Sequence, residues 1–251
     1  MQNFILIKYM IYVSLSTIPP RINELSKSID SLLNQTIKPD KIFINIPKKF
    51  RRFKEEIKDN QIPNFSSFIE VTRCDDYGPG TKLLGSIDKL NKDSLVILAD
   101  DDQIYEDFMI EKLSYYYNKA PQNAYSFYVH PLGNFGIGQG ADGFAINTNY
   151  LDGIFDFYND VVKDYHELFL YDDLWISYFL YYFKKNKILS LQELLEIDAS
   201  GKRKTIYKTH SVASGLISTY GKNINDAVRA RDEKARISFD YMRDKTRDKK
   251  Y

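Results

Sequence analysis

The chain has 251 residues, 43% hydrophobic and 15% aromatic, with a formal net charge of +1 at pH 7. That size and composition suit one large α/β domain or two small ones with a real core, and they exclude a disordered chain. A near-neutral balance makes no case for nucleic acid, and a single cysteine, Cys74, excludes an internal disulfide framework or a thiolate zinc site.

The opening MQNFILIKYMIYVSL is apolar, but Lys8 interrupts it and no small-residue cleavage site follows. It predicts a first strand in a cytoplasmic protein rather than a leader or a membrane span. IYVSLS (11–16) is β-branched and apolar, and Pro19-Pro20 then opens a helix, with Ser16 or Thr17 as caps. In that helix Ile22, Leu25, Ile29, Leu32 and Leu33 recur at helical spacing. KPDKIFINI (38–46) predicts a second strand, followed by a basic amphipathic stretch, KKFRRFKEEIK, and a third strand in FSSFIEVTRC (65–74). TKLLGSIDKL (81–90) is helical, SLVILAD (94–100) is a fourth strand, EDFMIEKLSYYYNK (106–119) is a helix and NAYSFYVH (123–130) a strand. The glycine-rich GNFGIGQGADGFAIN (133–147) returns to a strand, and FLYDDLWISYFLYYF (169–183) starts an aromatic helix.

Strands separated by helices imply right-handed βαβ crossovers and a Rossmann-like, mostly parallel sheet with flanking helices. Ligands of such sheets bind beyond the carboxyl ends of the strands. The sequence divides into one domain over 1–221 and a charged helical extension over 222–251, a mixed-charge helix that also suits a membrane surface.

Three stretches carry chemistry. LVILADDDQIY (95–105) runs from an apolar strand into Asp100, Asp101 and Asp102. Strand alternation would send Asp100 and Asp102 one way and Asp101 the other. Like charges this close repel unless a cation sits among them. YGPGTKL (77–83) sets Gly78, Pro79 and Gly80 before Thr81-Lys82, offering backbone N–H groups and a lysine to an anion. Asp172 and Asp173 occupy the first turn of a helix, where the dipole favours acids for capping alone. The aromatics at 115–117 and 178–183 read as core, His130 as a structural histidine and His166 as a surface one.

STIPPRI, YGPGTKL, the Asp triplet followed by Tyr105, the glycine-rich segment and YDDLW occur in this order over roughly residues 11–185. The set resembles the nucleotide-sugar glycosyltransferases of the GT-A fold, in the bacterial and viral branch related to glycosyltransferase family two. That branch carries [ST]xPPR, GPxTKL, an Asp-rich metal motif followed by Tyr, and DD[IL]W. Where it reads GGVxY, this chain has GADGFAIN.

The resemblance implies a GT-A-type α/β fold and a metal-dependent enzyme. It would move a sugar from a nucleoside-diphosphate sugar to a glycan or other hydroxyl acceptor, with Mn²⁺ or Mg²⁺ bridging the two phosphates. Asp102 would be the direct metal ligand, with Asp100 near the metal or on the ribose and Asp101 either behind the metal ligands or on the ribose. Thr17, Arg21 and Asp76 would line the nucleoside pocket, and Lys82 would serve the pyrophosphate or hold Asp100. Asp173 would be the base of an inverting reaction, with Asp172 orienting or capping. His210, in YKTHSVASGL (207–216), would add a metal ligand from a C-terminal flap beside Lys202, Arg203, Lys204 and Lys208. Two other classes fit the motifs loosely: a haloacid-dehalogenase-type phosphatase, from D100-x-D102 after a strand, and a non-catalytic metal or sugar-binding module.

Overall fold

The computed structural model describes residues 9–209 and 224–251. In chain order its strands are β1 (Ile11–Ser16), β2 (Lys41–Pro47), β3 (Ile69–Cys74), β4 (Leu95–Leu98), β5 (Gln103–Tyr105) and β6 (Ala124–Ser126), then β7 (Val129–Leu132), β8 (Phe135–Gly138), β9 (Phe144–Asn147), β10 (Ile188–Ser190) and β11 (Tyr207–Thr209). The helices are α1 (Leu25–Leu33), α2 (Thr81–Leu84), α3 (Met109–Lys119), α4 (Ile154–Phe157), α5 (His166–Phe169), α6 (Asp172–Phe183) and α7 (Ile224–Lys245).

Seven strands form one sheet in the order β10-β6-β9-β4-β1-β2-β3. Every neighbouring pair is parallel except those of β9, which runs antiparallel to β4 and β6. β1, β2 and β4 are mostly apolar because both faces are covered, and the buried polar exceptions, Ser14 and Asn45, are hydrogen-bonded. Tyr12, Phe43, Val96 and Leu98 pack with α2, α4 and α6, while Val13, Leu15, Ile42, Ile44 and Ile97 pack with α1 and α3. Parallel pairing of β3, β2, β1 and β4 brings their carboxyl ends to one edge, where Asp76, Thr17 and the Asp triplet follow.

Several expectations are corrected. The strand predicted over 123–130 breaks into β6 and β7, since β7 leaves the sheet to pair with β8 in a hairpin through the glycine-rich segment. Neither Ser16 nor Thr17 caps a helix: the turn Pro19–Arg21 precedes α1, its cap is Ile18, and no side chain bonds there. Tyr115 and Tyr182 are exposed rather than core, whereas Tyr117, Tyr178 and Phe179 are buried. His130 is buried and paired with Asp232 of α7 at 3.0 Å, and His166 is exposed. Ala235 and Met242 of α7 join the core of α6, and Tyr178 Oη lies 3.1 Å from Thr246 Oγ1. Among the described residues, no helix is long and apolar enough to cross a membrane.

Candidate active site

β4 ends at Leu98, so Asp100, Asp101 and Asp102 lie in the turn between β4 and β5. Alternation therefore fails for them. Asp101 and Asp102 share one cation, and Asp100 turns to another. Arg21, at the end of the Pro19–Arg21 turn, sets Nη1 2.8 Å from Asp101 Oδ1 and Nη2 2.8 Å from Asp102 Oδ2. The planar guanidinium fork presents a separate N–H to each carboxylate. Ser28 of α1 places its hydroxyl 2.8 and 2.6 Å from the carbonyls of Asp101 and Gln103, which ties the helix to the same turn.

Lys82 is the second cation. Its Nζ donates to Asp100 Oδ1 and lies 3.2 Å from Asp172 Oδ2, with the side chain only 6% exposed. The YGPGTKL and YDDLW motifs explain this meeting. A Cβ on Gly80 would come within 2.6 Å of Trp175 Cζ2, so only glycine lets that turn pack on α6 and aim Lys82 at Asp172. The Lys82 carbonyl accepts from Ser14 of β1 and from Asn45 Nδ2 of β2 at 3.3 Å, which fixes α2 to the sheet. Gly140 closes the cluster from the glycine-rich segment. Its N–H donates to Asp173 Oδ1 at 2.9 Å, and a Cβ there would sit 2.7 Å from Lys82 Nζ. Tyr105, the tyrosine after the triplet, accepts from the Asp100 N–H at 2.8 Å and donates to the Gly140 carbonyl at 3.4 Å.

Asp100, Asp101, Asp102, Asp172 and Asp173 thus gather around Lys82 and Arg21. Five carboxylates against two cations leave negative charge uncompensated. Burial pushes the Asp102 carboxyl up to about 6, with the Asp100 charge adding to the effect and Arg21 opposing it. Burial, then the Asp172 charge, raises Asp173 well above the usual carboxylate range. Burial also raises Asp172 and Asp101, against the lowering pull of Lys82 and Arg21 respectively. Lys82 itself is raised well above its ordinary value: burial works against its charge, but the neighbouring Asp100, Asp172 and Asp173 outweigh it.

The other predicted residues divide. Thr17 is buried beside the triplet, and its hydroxyl favours the ionised form of Asp101. Asp76 is spent on its own turn, accepting from the backbone N–H of Arg51 at 2.6 Å and of Gly78 at 2.8 Å. His210 lies outside the described residues. Thr209 before it pairs with Gln103, the residue after Asp102. Sequence reasoning missed Asp142 and Tyr207. Asp142 lies in the Gly140–Asp142 turn, and burial and the Asp100 charge raise its carboxyl to about 7. Tyr207 feels the charges of Asp142, Asp100 and Asp102 after burial, its phenol reaching about 12. The two glycines flanking Ala141-Asp142 were the available signal.

Among the described residues, no three His, Cys, Asp or Glu side chains form a metal-holding group. The hard oxygens of Asp102 and Asp100, set in surplus negative charge, fit a divalent cation that draws its remaining ligands from elsewhere, such as a diphosphate.

No protein-family model and no curated protein matches the sequence. Solved structures match the fold. The mannosyltransferase PcManGT from Pyrobaculum calidifontis, in complex with GDP-Man and Mn²⁺, superposes with a TM-score of 0.50 at 11% identity. That match covers 96% of this chain and 74% of the other. S. aureus TarS 1-349 in complex with UDP gives 0.48 at 10% identity over 94% and 73% of the two chains. The 2-C-methyl-D-erythritol 4-phosphate cytidylyltransferase of Francisella tularensis gives 0.46 at 11% identity over 83% and 96%. At this identity, what the chain shares with PcManGT is the fold: a Rossmann-like, mostly parallel sheet flanked by helices.

Proposed function

We propose that this protein transfers a sugar from a nucleoside-diphosphate sugar to a hydroxyl acceptor, with divalent-metal assistance and inversion at the anomeric carbon. The observation that carries the proposal is the Lys82 cluster, which gathers the Asp triplet, the Asp172-Asp173 pair and the glycine-rich turn at the carboxyl edge of a GT-A-like sheet. PcManGT, which has this fold, was solved with GDP-Man and Mn²⁺.

In this mechanism Asp102 and Asp100 would hold Mn²⁺ or Mg²⁺, with His210, which lies outside the described residues, as the further ligand the sequence suggests. The metal, when bound, supplies positive charge to the leaving diphosphate. Arg21 releases part of its hold on Asp102 and turns to the diphosphate, while Asp101 and Thr17 bind the nucleoside. Asp76 shapes the YGPGTKL turn. Asp173 takes the acceptor hydroxyl proton as that oxygen attacks the anomeric carbon and the sugar–phosphate bond breaks. An alcohol is a poor nucleophile at neutral pH, and a carboxylate raised above its usual range is a better base for it. Lys82 keeps Asp100 and Asp172 in place and does not itself meet the phosphates.

Calorimetry with UDP and GDP, with and without Mn²⁺, and nucleoside-diphosphate release from their sugars test this. Metal-dependent binding is expected, with an apparent stabilisation of about 2.7 kcal/mol at a hundredfold excess over Kd. Asp102→Asn should cost several kcal/mol of transition-state stabilisation. Full sugar transfer in excess chelator would sink the metal role. Trapping by beryllium fluoride without nucleotide would favour the phosphatase instead.

A further inference from the structure

The basic stretch KKFRRFKEEIK (48–58) supplies no residue to the cluster around Lys82 and Arg21. It carries six lysines and arginines against Glu55 and Glu56, a net +4, in a chain whose other residues sum to −3. The segment leaves β2 at the carboxyl edge of the sheet, the edge that bears the Asp triplet. Lys48 N–H donates to the Cys74 carbonyl at 2.9 Å, which holds that exit against the end of β3. Arg51 fixes the middle of the run. Its N–H donates to Asp76 Oδ2 at 2.6 Å, its Nη1 donates to the Lys163 carbonyl at 3.0 Å, and its guanidinium lies 4.0 Å from the Phe169 ring centre. Phe169 is three residues before Asp172. The loop is thus anchored on the rim of the site's edge.

Lys48, Lys49, Arg51, Arg52 and Lys54 are all exposed, five cations in seven residues with no acid among them. Elsewhere surface lysines find carboxylates: Lys41 and Lys89 share Glu70, Lys92 meets Asp152 and Lys249 meets Asp160. Lys48, Lys49 and Lys54 make no ion pair among the described residues, although Glu55 and Glu56 follow in the chain and Asp75 follows Cys74. Positive charge concentrated in this way draws anions to the surface. Two phenylalanines interrupt the run. Phe50 and Phe53 are partly exposed, with ring centres 5.9 Å apart, and Arg52 lies 5.5 Å from the Phe53 ring centre. A soluble polyanion uses the cations alone. The boundary of an anionic bilayer uses both, its headgroups meeting the cations and its acyl margin the rings.

We propose that the loop over 48–54 docks this face of the protein onto an anionic lipid surface, with the active-site edge turned toward it. The inference is independent of the sugar-transfer reading, because the loop shares no residue with the groups assigned there.

The test is sedimentation of the full chain with vesicles of phosphatidylcholine alone and of equal parts phosphatidylcholine and phosphatidylglycerol. Wild type should bind the second and not the first, and about 1 M salt, where the Debye length is about 3 Å, should release it. Lys48→Gln, Lys49→Gln and Lys54→Gln together should weaken binding roughly 10²-fold, the scale of three cations at an anionic surface. The melting temperature of that variant should match wild type, as for surface substitutions that break no ion pair. Phe53→Ser should weaken vesicle binding several-fold and leave binding of heparin, a soluble polyanion, unchanged. Lys245→Gln, Lys249→Gln and Lys250→Gln together, in the charged C-terminal segment, should have little effect. Equal binding to both vesicle types would overturn the proposal, as would equal losses in the two triple variants, which would move docking to the C-terminal segment. Vesicle binding that Phe53→Ser leaves intact and heparin abolishes would mark a polyanion site instead. A wild type that binds UDP with Mn²⁺ but no vesicles sinks this proposal alone, and one that binds vesicles but no nucleotide sinks the sugar-transfer reading alone.

Discussion

Lys82 and Arg21 each hold two carboxylates of one site, yet they are committed to it very differently. Lys82 is 6% exposed, with Gly140 pressed on its ammonium and its own carbonyl fastened to two strands. Arg21 is 19% exposed and sits on a three-residue turn, and its Nε has no hydrogen-bond partner among the described residues. The first is a fixed hub joining four segments of the chain. The second is a clamp that a competing anion can open. A site of this kind separates what must never move from what must let go when ligand arrives.

The largest expected effect breaks the hub. Lys82→Ala leaves Asp172 buried and Asp100 half-buried without their cation, and removing one partner of a buried pair costs about 3–5 kcal/mol. Urea unfolding should show that loss, a large part of a domain's usual stability. Arg21→Ala removes charged hydrogen bonds nearer the surface and should cost about 1.5–3 kcal/mol. If the two variants prove equally unstable, hub and clamp are not distinct.

Next in size is the base on the hub's edge. Asp173→Asn should lower turnover by about 10²–10⁴-fold with nucleoside-diphosphate affinity nearly unchanged, the range of general base catalysis. Lost nucleotide binding in that variant would move Asp173 to the donor site or to the fold.

The same contrast governs what could be read from sequence. β1, β2 and β4 were legible because strands covered on both faces are mostly apolar, whatever packs on them. The hub's parts were legible as motifs, because Gly80, Lys82 and Asp172 are local requirements of close packing. Their mutual contact was not, since it depends on how α2 and α6 meet. The strand predicted over 123–130 failed for a long-range reason: Val129–Leu132 pairs with Phe135–Gly138, and hydropathy does not report on partners. Alternation failed at the triplet because the strand stops before it. Asp142 was hidden since a lone acid between glycines resembles any solvated turn until its burial is known.

The smallest effect is a pH slope of stability, and it falls on acids left outside the hub. Asp102 and Asp142 have carboxyls at about 6 and about 7, both above the ordinary 3.8. Between about pH 4 and 7 the folded state thus holds protons that the unfolded chain has released. Stability rises with pH only where the unfolded state binds more protons, so here these two groups make it fall. Their contribution is fully present below about pH 4 and is lost as pH climbs through 6 and 7. For Asp142 the loss is at most on the order of 4 kcal/mol, by the free energy of its shift. Glu70, lowered by bonds to Lys41 and Lys89, acts in the opposite sense only at more acid pH. Urea unfolding at pH 5 and pH 8 should therefore show a smaller loss of stability in Asp142→Asn than in wild type. Mn²⁺ with UDP should flatten the wild-type slope further, because a cation near Asp102 replaces the proton that burial retains there. An identical slope in wild type and Asp142→Asn would mean that Asp142 is already ionised in the folded chain.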